Sequence, residues 1–225
     1  MHIEPGLVDS AKLTLSYATA TGALGYAAKL ALDAIKQDGV AALLQRSAIA
    51  ALLVFCSFEV LPHAPVGVSE LHLILGTSLL LVLGAAPAAI GLAAGLLLQG
   101  LFFQPQDLPQ FGANVSTLLL PLFACAGLAR RLIPAHTAYV DIGYSQALKL
   151  SLAYQGGIVA WVAFWAFYGQ GFGAAQFASV ASFAASYMSI VLVEPLIDLG
   201  LLALAKRLQG LRTSAALNRR LFSAA

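Results

Sequence analysis

Charge is scarce in this chain. Asp, Glu, Lys and Arg together make up 10% of its 225 residues, against about 25% in a soluble domain. The net charge is only +2, and no basic stripe interleaved with aromatics appears, so a nucleic-acid partner is not expected. Cysteine is nearly missing: Cys56 and Cys125 both fall in apolar stretches, which excludes a disulfide framework or a paired thiol metal motif. No GxxxxGK[ST] loop is present, so the chain is not expected to be an enzyme with its own ATPase site. The first ten residues contain Glu4 and Asp9 but no Lys or Arg, unlike a cleavable signal peptide. The chain is therefore expected to keep its own first residues, and the bulky His2 argues against removal of Met1.

What remains is apolar. Hydrophobic residues make up 60% of the chain and the mean hydropathy is +0.86, the balance of an integral membrane protein. Long apolar runs predict an all-α fold of about seven transmembrane helices. They lie near Ala11–Ile35, Ser47–Leu61, Val68–Gly84, Ala88–Phe103, Ala113–Leu128, Ala147–Tyr168 and Gln176–Ala205. Only Gly84-Ala85-Ala86-Pro87 separates the third run from the fourth, which suggests a helical hairpin or re-entrant helices. The whole of 1–225 reads as one transmembrane domain, with an N-terminal segment 1–10 and a basic tail 206–225.

The cations are unevenly placed. Lys36, Arg46, Arg130, Arg131 and Lys149 mark alternate loops, and five more cations crowd the tail. The loops 62–67, 104–112 and 169–175 contain none. The positive-inside rule then places the N-terminus outside and the C-terminus in the cytoplasm, as in a bacterial inner-membrane protein. Met1, His2, His63 and His72 share the outer side in that arrangement, and His136 lies in an inner polar loop as a solvated residue.

Met1-His2 brings a terminal amine, an amide nitrogen and an imidazole within two residues. Square-planar nitrogen coordination of this kind suits Cu(II) or Ni(II), and by extension low-spin Co(II). A His after the start Met carries no chemistry in most chains, so the rest of the sequence must decide. His72 sits in an apolar run, where an ionisable side chain is expensive and usually marks a site; it is the candidate fourth nitrogen. Glu59, His63 and Glu70 are alternative or accessory ligands. Glu59 and His63 share a helix face only if the helix continues past Pro62, and Glu70 reads as a group that orients an imidazole.

Several segments resemble one family in order along the chain. Met1-His2-Ile3 with Pro5-Gly6 is similar to the M-H-I-P-D-G opening of the CbiM/NikM proteins, the substrate-capture components of energy-coupling factor (ECF) transporters for cobalt and nickel. His72-Leu73-Ile74-Leu75-Gly76 resembles the family's G-H-L-x-G segment. Gln99-Gly100-Leu101-Phe102-Phe103, followed by Gly112-Ala113-Asn114, resembles its Q-A-L-L-F…G-A-N loop. The likeness departs at Glu70-Leu71 and in the loop Gln104–Gln110, where the family has small residues and glycines. It implies that the N-terminus inserts into the bundle and that Met1, His2 and His72 bind Co2+ or Ni2+ as transported substrate. It also implies that Gln99 and Asn114 orient ligands or anchor the inserted segment, although ordinary helix or loop hydrogen bonds would equally explain both. The implied partners are a coupling transmembrane protein and two ATPase subunits, with a small extra membrane subunit in some systems.

Other features stay open at this level. Ala23, Ala27 and Ala31, and Gly91 with Gly95, suit close helix packing, either within the bundle or against a partner. Glu194-Pro195 and Asp198 read as a Pro-kinked helix end with carboxylates reaching the interface, or as an ion relay. The tail reads first as an anchor to anionic lipid. The rival functions are a stand-alone secondary metal transporter or channel, a non-transporting membrane scaffold, and a capture component for an organic vitamin.

Overall fold

The structure is a computed structural model that describes residues 3, 6–8, 11–208, 210 and 212–223. Its helices are α1 (Leu13–Asp38), α2 (Val40–Glu59), α3 (Gly76–Leu83), α4 (Ala85–Phe102), α5 (Phe111–Leu132), α6 (Tyr144–Gln170), α7 (Ala174–Met188) and α8 (Glu194–Arg207). A two-stranded hairpin, β1 (Ala64–Val66) and β2 (Ser69–Leu71), lies between α2 and α3. Among the described residues, 5 segments are long and apolar enough to cross a membrane: Val40–Glu59, Ala85–Phe102, Pro105–Leu132, Tyr144–Gln170 and Ala174–Arg207. The chain is a mostly helical, multi-pass membrane protein.

Three of the seven expected spans differ. α1 is 26 residues long, about 39 Å at 1.5 Å per residue, but Lys29, Asp33, Lys36 and Asp38 make its C-terminal half polar. Its buried face is a narrow stripe of Ser16, Ala20, Ala23 and Ala27. The third run is not a spanning helix. Its first part is hairpin, and α3 has only 8 residues, about 12 Å of a hydrocarbon layer of about 30 Å. A fully all-α fold therefore needs correction at this point. The seventh run is also broken, by a 3-10 turn at Ser189–Leu192 ahead of Pro195 in the first turn of α8. Proline removes a backbone donor there and forces a new helix start.

The helix pairs approach where side chains are absent. A Cβ on Gly91 would lie 2.3 Å from Ala50 Cβ, and one on Gly95 2.7 Å from Val54 Cγ1, so α4 lies directly on α2. The glycine repeat thus serves internal packing. α3 turns into α4 at Gly84, whose φ of +100° an L side chain would rarely accept. α6 runs through the interior and contributes Tyr154 and Trp165 to the fully buried core. Cys125 is buried and Cys56 half-buried, and both are free thiols.

The tail folds back on the protein. Asn218 donates its backbone N–H to Val82 O at 2.8 Å. Arg220 donates to Ile133 O and Pro134 O, both at 3.0 Å, just past the end of α5. Arg219 Nε pairs with Asp38 Oδ1 at 2.5 Å, and Leu221 is fully buried. These carbonyls are end groups that a helix cannot satisfy internally, which explains why basic tail residues are drawn to them.

Candidate metal-capture site

The hairpin positions the site. Val66 pairs with Ser69, Pro65 with Glu70 and Ala64 with Leu71. That register leaves a two-residue turn with Gly67 first, at φ +64°, the position where the favoured hairpin turn requires glycine. The hairpin tip rests on α7: a Cβ on Gly67 would meet Ser179 O at 2.2 Å.

Of the described N-terminal residues, Ile3, Leu7 and Val8 lie inside the protein and Gly6 is exposed. Ile3 is fully buried, forms an antiparallel bridge with Ser69 of β2, and donates its N–H to Asn114 Oδ1 at 2.9 Å. It thus extends the hairpin by one residue on its far edge while α5 holds its backbone. Leu7 and Val8 are buried as well. α6 approaches Leu7 so closely that a Cβ on Gly169 would lie 1.9 Å from its carbonyl oxygen. Met1 and His2, two of the expected ligands, lie outside the described residues.

His72 is fully buried, but it lies in the extended link between β2 and α3 and not in a helix. Its Nε2 is 2.9 Å from Glu70 Oε2. The strand explains this pair: residues two apart in an extended chain point to the same side. The His63 ring stacks on the His72 ring at 5.1 Å, and Phe58 meets it edge-on at 5.2 Å. His72, Glu70 and His63 are therefore brought together. α2 ends at Glu59, so Glu59 and His63 do not share a helix face. Glu59 Oε1 is buried with no hydrogen-bond partner among the described residues. The same holds for both amide atoms of Gln99, a fully buried side chain of α4 that such a setting disfavours unless a ligand or segment completes it. Asn114 is bonded to the inserted segment through Ile3.

Among the described residues, no three His, Cys, Asp or Glu side chains form a group able to hold a metal ion. What the described part offers is one buried imidazole oriented by a carboxylate, with Ile3 bridged to Ser69 of the strand that leads to it. A metal ligating this imidazole needs further donors, and a terminal amine and amide nitrogen are donors of the right type.

A second polar cluster lies one step along α3. Glu194 and Asp198 are 0% and 1% exposed, so they do not reach the interface as the sequence reading has it. Thr77 Oγ1 contacts Glu194 Oε1 at 2.9 Å and Asp198 Oδ2 at 2.7 Å. Ser78 bonds Asp198, and Ser151 bonds Glu194. Gln155 Nε2 donates to Glu194 Oε2 at 2.8 Å and to Ile74 O at 3.1 Å. The spacings Glu194/Asp198 and Ser151/Gln155 are both four residues, which puts each pair on one helix face. That matching of polar faces was the available signal.

Comparison with known proteins follows this geometry. Among solved structures the chain is similar to one described as "Crystal Structure of an transition metal transporter", with a TM-score of 0.70 and 19% identity over 93% of this chain and 94% of that one. At that identity the likeness is one of fold. No curated protein matches the chain. The family model for the cobalt uptake substrate-specific transmembrane region, CbiM, matches residues 2–210, so the chain belongs to the CbiM family of cobalt uptake membrane components.

Proposed function

We propose that this chain is the substrate-capture subunit of an energy-coupling factor transporter that takes up Co2+ or Ni2+. Metal is gripped on the external face by the amine of Met1, the amide nitrogen and imidazole of His2, and the imidazole of His72. The observation that carries this reading is the seating of Ile3, buried, bonded to Asn114 and bridged to Ser69. A chain held there has its first two residues no more than two extended steps from Ile3, and Ser69 is three residues from His72.

The chemistry follows from the donors. The amide nitrogen must lose its proton for the metal, so binding releases protons. Glu70 holds His72 through one ring nitrogen and fixes its orientation, as carboxylates commonly do for ligating imidazoles. Release inward requires the inserted segment to loosen. The chain has no phosphate loop, so this reading assigns ATP hydrolysis to two partner ATPases acting through a coupling membrane protein. The cation-free loops 62–67, 104–112 and 169–175 support an external N-terminus and a cytoplasmic C-terminus.

Uptake of labelled cobalt into cells tests the proposal. Uptake is expected only when the coupling protein and ATPases are coexpressed with this chain. Equal uptake by the chain alone in sealed vesicles would replace the reading with that of a stand-alone transporter.

A further inference from the structure

The bundle wall is open between α2, α3 and α8. Because α3 is short, an apolar groove of about 500 Å³ runs along it, lined by Leu53, Val60, Leu79, Leu201, Leu204 and Leu217 among others. Leu217 belongs to the folded-back tail, and it is also a wall of a second cavity of about 340 Å³. The second cavity is polar. Its walls include Arg46, Arg212, Arg219, Asp38 and Ser214.

The charges in that cavity do not balance. One carboxylate faces three guanidinium groups. Asp38 Oδ2 is 2.7 Å from Arg46 Nη1, and Asp38 Oδ1 is 2.5 Å from Arg219 Nε. Arg46 is a nearly buried side chain at 7% exposure, so its partner is shared with a second cation. Arg212 adds a third positive group on an exposed wall. Among the described residues two positive charges are thus left in excess, and the planar donors of arginine suit a phosphate. An apolar trough that shares its Leu217 wall with a cavity of excess positive charge matches a phospholipid with an anionic headgroup, acyl chain in the trough and phosphate among the arginines.

We propose that the trough and the arginine cavity, which share the Leu217 wall, form a specific site for one anionic phospholipid. A bound lipid would tie the tail to the α1–α2 turn and fill the gap that α3 leaves. The site stands apart from the metal ligands and does not depend on them. A soluble phosphate would occupy the cavity alone, whereas the lipid uses both parts.

The test is retention and thermal stabilisation of the purified full-length protein. The probes are palmitoyl-oleoyl phosphatidylglycerol, palmitoyl-oleoyl phosphatidylcholine and inorganic phosphate. The protein is expected to retain phosphatidylglycerol at least about fivefold over phosphatidylcholine, the discrimination of roughly one well-placed cation. Arg212→Gln should bring that ratio close to one without altering the melting temperature of lipid-free protein. Leu204→Trp, which fills the trough from an exposed position, should lose both lipids. Equal retention of the two lipids by the parent protein would overturn the proposal. So would full stabilisation by inorganic phosphate that Leu204→Trp leaves intact, since that marks a soluble-anion pocket with no acyl seat.

Discussion

The backbone N–H of Ile3 donates to the side-chain oxygen of Asn114 at 2.9 Å, in a setting where neither residue is more than 2% exposed. This bond ties Ile3 to α5. Removing the acceptor with Asn114→Ala strands a buried N–H, which costs about 1–3 kcal/mol. Cobalt affinity in calorimetric titration should fall about tenfold or more, while Asn114→Asp, which keeps an acceptor oxygen, should retain most of it.

Glu70 and His72 form the next test. Their 2.9 Å contact leaves the imidazole little choice of orientation. Loss of an orienting carboxylate typically lowers metal affinity 10–100-fold, and Glu70→Ala should fall in that range. His72→Ala removes a proposed ligand and should abolish tight binding, as measured by metal retained after gel filtration.

Gly169 sets how closely α6 can approach the inserted segment. Gly169→Ala would place a methyl 1.9 Å from Leu7 O, overpacking that costs roughly 1–3 kcal/mol. Cobalt affinity should drop with little change in expression or helicity. Gly156→Ala on the same helix, where a Cβ meets nothing within 4 Å, is the matched control and should leave affinity unchanged.

The buried carboxylates give a prediction about stability. Glu194→Ala would leave Ser151, Gln155 and Thr77 facing an empty acceptor site, a loss on the order of 3 kcal/mol. Glu194→Gln keeps the shape and an acceptor oxygen, and should be markedly less damaging. Thermal unfolding in detergent ranks the two; a larger loss for the glutamine variant would contradict the hydrogen-bonding account.

Much of this architecture was legible as hydropathy. The runs around α2, α4, α5 and α6 are apolar over a bilayer's thickness, and burial in lipid leaves the backbone no alternative to helix. The third run misled because Val68–Gly84 is equally apolar whether strand or helix. The discriminating signal was Gly67 ahead of alternating residues, a turn cue that hydropathy averaging erases. His72 was recognisable as a costly residue in an apolar stretch, but its pairing with Glu70 needed the extended backbone to become visible. Glu194 and Asp198 were misplaced because a proline beside carboxylates resembles a helix end. The facing hydroxyls of Thr77, Ser78 and Ser151, with the Gln155 amide, show that the polar side turns inward.

The most direct test concerns the free amine. One alanine added before Met1 leaves every described contact in place and changes only the position of the terminal nitrogen. Bound cobalt and nickel, measured by elemental analysis alongside titration of each ion, should fall to background in the extended protein while the fold melts normally. Undiminished affinity would remove the amine from the ligand set and with it the account of capture given above.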